Sequence, residues 1–200
     1  ELDDFHGTNV HGTLNVLEAC AINRIGHAII TGSISSYGEE DCRTLKDESA
    51  PFNSHYPYFL DKLFPCKFNW YRDTKAEATR QAMQFARNHA LNLTIIEPAW
   101  VYGEREFNTG FFSYVKAVKD GMRFVPGSRR NSYHVIYARD LAKAYVLAQR
   151  KRLPGVERII VGNPHPEPMH EIFALFCTHA GFRPPRLVPK WVAYPPAFAL

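Results

Sequence analysis

Residues 27–38 read "HAIITGSISSYG". The first half is a short apolar run of strand length that breaks at Gly32. The second half is serine-rich turn chemistry. Working outward, "NVHGTLNVLEACAIN" (9–23) sets Val10, Leu14, Leu17 and Ala21 at helical spacing. Downstream, 74–90 reads as a helix with Ala76, Ala78, Ala82, Met83 and Phe85 on its apolar side. "LTIIEP" is a second buried-type strand, halted at Pro98. Helices follow at 110–120, 139–151 and 168–179, with strands at "SYHVIY" and "ERIIVG". Strands alternating with helices predict an α/β fold with a parallel sheet. Ligands of such sheets bind outside the carboxyl ends of the strands. "TGSISSYG" and "PAWVYGE" both sit at such ends.

The composition is that of a globular chain, 46% hydrophobic and 22% charged over 200 residues. Net charge is +4 and the basic residues are scattered, so a nucleic-acid partner is not indicated. The four cysteines, Cys20, Cys42, Cys66 and Cys177, form no CxxC pair, which argues against a zinc knot. They read as reduced thiols of a cytoplasmic protein. No apolar run reaches membrane-span length. The chain opens without Met at Glu1, and the simplest expectation is a fragment of a longer protein. Membrane contact through a C-terminal extension stays open.

Two tyrosine–lysine pairs share one spacing, Tyr58–Lys62 and Tyr71–Lys75. Pro57 and Pro65 flank the first and interrupt any helix carrying it. The second runs into "AEATRQAMQFARNHA", which contains no Pro or Gly. Spacing of i, i+4 puts Tyr71 and Lys75 on one helix face, with Tyr71 expected in the first turn. A helix N-terminus and a nearby ammonium both favour a phenolate there. Segment 39–70 holds Pro51, Pro57, Pro65 and many aromatics. It reads as an irregular excursion over the sheet edge, a lid or a packed surface loop.

Together these phrases resemble the extended short-chain dehydrogenases/reductases, the NAD-dependent epimerase/dehydratase family. "NVHGTLNVLEAC" is similar to the family's asparagine helix, with Asn9 at the asparagine. Ser33, four residues before Tyr37-Gly38, matches its catalytic serine. "DESAP" (47–51) matches the acidic phrase that follows, and "YRDTKAEA" the Tyr-x-x-x-Lys helix, with Thr74 where Ser is commoner. "EPAWVYGE" resembles the Arg-Pro…Tyr-Gly loop, with Glu97 in place of the Arg. Asp140 stands at a later aspartate. The resemblance implies a Rossmann-like doubly wound parallel sheet lacking its first βαβ units, over residues 1–105. It implies a small substrate-binding part over 106–200.

The resemblance also implies NAD or NADP as cofactor and a small-molecule substrate. Tyr71 would exchange the substrate's hydroxyl proton. Lys75 would hold the nicotinamide ribose and stabilise the phenolate. Ser33 would bind the same substrate oxygen. Asn9 would hold a water or the backbone near Lys75, its plain alternative being a helix cap. Gly32, Pro98 and Val101 would line the cofactor. Ser35, Arg129 and Arg130 would face the substrate, the arginines otherwise being solvated surface. Relatives often dimerise through the helices at 9–23 and 74–90.

No Gly-x-x-Gly-x-x-Gly turn occurs among the 12 glycines. Cofactor binding by these 200 residues alone is therefore expected to be poor, and NAD and NADP are not told apart. Ile34 and Ser35 follow Ser33, where sugar dehydratases carry Asp-Glu. The tail "GNPHPEPMHEIFALFCTHAGFRPPRLVPKWVAYPPAFAL" (162–200) resembles 3β-hydroxysteroid dehydrogenase relatives. The expected substrate is an apolar alcohol of that kind, with a nucleotide-sugar epimerase as the alternative. A non-catalytic cofactor sensor or scaffold is the alternative of another class.

Overall fold

The computed structural model describes residues 2–38, 45–57, 65–107 and 110–189. These fall into two compact units. The first takes the chain up to Ala99 together with Asp140–Val161. The second takes Trp100–Arg139 and the chain from Gly162 onward. The expected division lay at residue 105, whereas the second unit begins at Trp100. Residues 140–161 return to the first unit because their strand pairs with its sheet.

The first unit opens on one helical run. It comprises α1 (Leu2–Phe5), a π-helical segment (His6–His11) and α2 (Gly12–Ile22). Asp3 and Asp4 in the first turn suit the positive end of this run. Asn23 ends it, its side chain donating to the Ala19 carbonyl at 2.8 Å. The helix thus starts upstream of Asn9, and Asn9 does not cap it.

Next come β1 (His27–Thr31), a 3₁₀ turn (Ile34–Tyr37), α3 (Lys67–Asn88) and β2 (Asn92–Pro98). Later the chain adds α5 (Ala138–Lys151) and β7 (Val156–Val161). The three strands form one parallel sheet in the order β1-β2-β7. Central β2 is buried from Leu93 to Pro98. A parallel strand covered on both faces reads as a nearly continuous apolar run, supplied here by Leu93, Ile95 and Ile96. Leu17, Ala28, Ala82, Ala86, Leu91, Leu93 and Ile95 form the core. Ala78, Ala82 and Ala86, one turn apart, are all buried on α3, where small side chains allow close packing.

Helix α3 begins at Lys67 rather than at residue 74, which shortens the expected excursion. The sequence hides this start. Cys66 at the N-cap supplies no side-chain capping bond to the helix, and "KFNWY" has middling helix propensity. Tertiary contacts settle it instead. Asn69 Oδ1 accepts from the Tyr56 amide at 3.0 Å, and its Nδ2 donates to the Tyr56 carbonyl at 2.8 Å. The Trp70 ring meets Phe5 edge-on at 6.3 Å.

In the second unit, β3 (Trp100–Tyr102) pairs in parallel with β6 (Val135–Tyr137). β4 (Phe124–Pro126) pairs in parallel with β9 (Arg186–Val188). β5 (Ser132–Tyr133) pairs antiparallel with β8 (Glu167–Pro168). The expected single strand "SYHVIY" is therefore two strands in two pairings, broken at His134. Helices α4 (Gly110–Lys119) and α6 (Met169–His179) pack through aromatic rings. Phe111 stacks on Phe176 at 4.4 Å, and Tyr114 lies 4.1 Å from Phe173.

Among the described residues, no helix is long and apolar enough to cross a membrane. Leu93 is wholly buried on the central strand. Leu93→Ala should therefore lower unfolding free energy by about 2–5 kcal/mol, read by denaturant titration. A loss below about 1 kcal/mol would contradict this placement of the core.

Candidate active site

The site gathers around the carboxyl end of β1. Lys75 projects from the third turn of α3, and its Nζ donates to the Thr31 carbonyl at 2.8 Å. Thr31 is the last residue of β1. Its hydroxyl also lies 2.6 Å from the Tyr145 hydroxyl of α5. Lys75 thus fixes α3 to the point where the serine turn begins. The 3₁₀ turn and α3 also pack directly on each other. An ammonium has three donors, and among the described residues only this bond uses one.

Ser33 is buried at the N-cap of the 3₁₀ turn, where its Oγ accepts from the Ser35 amide at 3.2 Å. The two hydroxyls of Ser33 and Ser35 lie 2.7 Å apart. Capping therefore accompanies any functional role of Ser33 rather than replacing it. Gly32 has a packing reason of its own. A Cβ there would come within 2.8 Å of Glu97 Cγ, on the neighbouring strand.

Tyr71 lies one turn N-terminal to Lys75 on α3 and is 37% exposed. Because α3 begins at Lys67, Tyr71 is not in the first turn as expected. The pull of the helix N-terminus fades beyond that turn. Asn9 sits in the π-helical segment, where Gly12 N–H donates to the Gly7 carbonyl. Such segments recur at functional sites. Asn9 Nδ2 donates to Thr74 Oγ1 at 2.9 Å, and Thr74 Oγ1 donates to the Trp70 carbonyl at 2.7 Å. The Asn9 side chain therefore reaches the helix next to Lys75 through Thr74's side chain, not through the backbone.

Other expected residues lie as follows. Pro98 is buried at the end of β2 in the first unit. Val101 lies on β3 in the second unit and is 38% exposed. Arg129 and Arg130 are exposed in the turn between β4 and β5. Asp140 opens α5 and pairs with Lys143 at 2.8 Å. Tyr58, Lys62 and the tail phrase around Trp191 and Tyr194 lie outside the described residues.

One cluster was not anticipated from the sequence. Glu97, wholly buried at the end of β2, accepts from the Tyr37 hydroxyl at 2.5 Å. Arg158 Nε of β7 donates to the same carboxylate oxygen at 3.4 Å, and its NH2 group donates to the Tyr37 oxygen. Burial pushes the Glu97 carboxyl above its ordinary pKa, and Tyr37 and Arg158 pull it back. Burial, with the Glu97 bond second, raises Tyr37 as well. The signal lay in "LTIIEP". A charge within a buried strand demands a buried partner. Glu48 of "DESAP" is also structural, its Oε1 accepting from the Ile160 amide of β7 at 2.7 Å.

A model described as the 3-beta hydroxysteroid dehydrogenase/isomerase family matches residues 1–165. The chain belongs to that family. Family membership agrees with the Rossmann-like parallel sheet, of which these residues form part. A 3beta-hydroxysteroid-dehydrogenase/decarboxylase isoform 1 of Arabidopsis thaliana is 29% identical over 155 residues. That match covers 76% of this chain and 32% of the relative, so the chain spans about a third of the curated relative's length. Among solved structures, a dTDP-glucose 4,6-dehydratase from Bacillus anthracis in complex with NAD is similar, at TM-score 0.76 and 19% identity. It covers 94% of this chain and 58% of that one. A UDP-N-acetylglucosamine 4-epimerase from Methanobrevibacter ruminantium, in complex with UDP-N-acetylmuramic acid, matches at TM-score 0.69 and 21% identity. The shares are 91% and 56%. These likenesses establish the shared fold.

Burial holds the Lys75 pKa below its ordinary value of 10.5. The folded chain therefore binds that proton less tightly than the unfolded chain. The resulting penalty is full below the folded pKa and fades as pH rises through the unfolded value. Lys75→Met should thus leave the thermal midpoint at neutral pH unchanged or higher. Its advantage over the parent should vanish above roughly pH 10. A clear drop in the midpoint at neutral pH would show that Lys75 serves stability instead.

Proposed function

We propose that the protein is an NAD(P)-dependent dehydrogenase that interconverts a secondary alcohol and a ketone, and that its substrate is a 3β-hydroxysteroid-like apolar alcohol. The observation that carries this is the Lys75–Thr31 bond. It brings a tyrosine–lysine helix to the strand end that presents Ser33. The steroid class is supported by the matching family and by the Arabidopsis thaliana relative. The residues fit the nicotinamide half of the cofactor, because among the described residues Lys75 has two donors left over for ribose hydroxyls. The pyrophosphate cradle has no counterpart here, since no Gly-x-x-Gly-x-x-Gly turn occurs in the sequence.

Hydride transfer at the carbinol carbon is the chemistry that a nicotinamide supplies when bound. The chain's own residues move the proton. In oxidation, Tyr71 takes the proton from the alcohol oxygen as hydride leaves the adjoining carbon. In reduction, it gives the proton to the ketone oxygen. The Lys75 ammonium, one turn away, stabilises the intervening phenolate. Ser33 Oγ accepts from Ser35 N–H, and when the Ser35 hydroxyl 2.7 Å away is the donor of the hydroxyl pair, Ser33 keeps its own proton for the substrate oxygen. Asn9, through Thr74, holds this part of α3 in place.

Intact protein should reduce NAD or NADP in the presence of hydroxysteroids, followed by absorbance of the reduced nicotinamide, with product analysis for nucleotide sugars. Tyr71→Phe should lower the rate by at least about 10²-fold, whereas Tyr58→Phe should keep most of it. The reverse pattern would refute the assignment. Conversion of nucleotide sugars alone would refute the steroid class.

A further inference from the structure

Glu97 packs against Gly32, the residue before Ser33, yet the proton-transfer scheme does not use it. Both ends of the serine turn touch this one side chain. At the start, the Gly32 backbone approaches Glu97 so closely that a Cβ would not fit. At the end, the Tyr37 hydroxyl donates to Glu97 Oε2. Ser33 lies between these two anchors.

The carboxylate is itself held in direction. Arg158, only 13% exposed at its side chain, donates to it from β7. That guanidinium lies 4.4 Å over the Phe52 ring and 5.1 Å over the Tyr37 ring. Phe52 in turn meets Tyr37 edge-on at 5.3 Å. Lys46 Nζ donates to the Tyr37 carbonyl at 2.7 Å. Tyr37, Glu97 and Arg158 come from three separate parts of the chain and meet at one point.

Stability alone is a poor account of this arrangement. Buried ion pairs are often matched or bettered by apolar residues of similar volume. Glu97 Oε1 also has no hydrogen-bond partner among the described residues. An incompletely satisfied buried carboxylate is unfavourable, and what it provides here is a fixed direction. We infer that Glu97 is a positioning residue for Ser33, with Arg158 orienting its carboxylate and Tyr37 and Gly32 passing that orientation to the serine turn. This rests on the proposed role of Ser33. It adds that the placement of Ser33 depends on a charge on the adjacent strand.

The test uses intact protein, NAD and a 3β-hydroxysteroid, with kcat, KM for NAD and thermal midpoint measured together. Tyr37→Phe removes only the hydroxyl and leaves the Glu97–Arg158 pair. It should lower kcat by about tenfold to a hundredfold, the scale of a small misplacement, with KM for NAD unchanged. Glu97→Gln should do the same. The double variant Glu97→Leu/Arg158→Met removes the charge pair as a unit. It should recover the thermal midpoint while kcat stays low. The inference is overturned if Tyr37→Phe keeps the parent kcat, or if kcat returns with the midpoint in the double variant. If Glu97→Gln or the double variant does not fold, Tyr37→Phe decides. Tyr71→Phe, run alongside, separates the two levels. Full activity in Tyr71→Phe sinks the proposed function, whereas its loss with normal Tyr37→Phe kinetics sinks only the positioning role.

Discussion

The ammonium of Lys75 on the Thr31 carbonyl joins residues 44 apart in the chain. The geometry of the candidate site depends on it. Without that bond, α3 and the end of β1 would share a packing surface but no fixed register between their functional groups. With it, Lys75 is half-buried at the strand end, and its charge is disfavoured by desolvation. The chain tolerates that unfavourable term because the bulk of its stability lies elsewhere, in the alanine face of α3 and the apolar run of β2. Sites whose side chains lower stability are common where function sets the residue.

Around this tether the supports form two layers. Asn9 and Thr74 hold α3 from the side of the π-helical segment. Glu97, Tyr37 and Arg158 hold the serine turn from the side of the sheet. The parallel order β1-β2-β7 explains why these meet. Parallel strands end on the same side, so Thr31, Glu97 and Val161 gather at one edge of the sheet.

What could be read from the sequence was local. The strand "HAIIT", its serine turn and the i, i+4 pair on a helix without Pro or Gly each span few residues and obey simple periodicities. The parallel sheet followed from their alternation. The Asn9–Thr74 bond spans 65 residues and the Tyr37–Arg158 contact 121. Such pairings exist only after the sheet has formed, and no local pattern announces them. Glu97 was visible as an odd charge in an apolar strand, but its partner was not. The start of α3 was masked because Asn69 and Trp70 are held by tertiary contacts rather than by a cap. The strands of the second unit, two or three residues long, are too short for alternation to show, so "SYHVIY" reads as one strand where His134 divides it.

A structure of the intact protein with NAD and a 3β-hydroxysteroid tests the central claim most directly. The steroid's reacting oxygen should lie within hydrogen-bonding distance of both the Tyr71 hydroxyl and Ser33 Oγ, with Lys75 still on the Thr31 carbonyl. A steroid held away from these two hydroxyls, or a Lys75 turned from Thr31 toward solvent, would contradict the account.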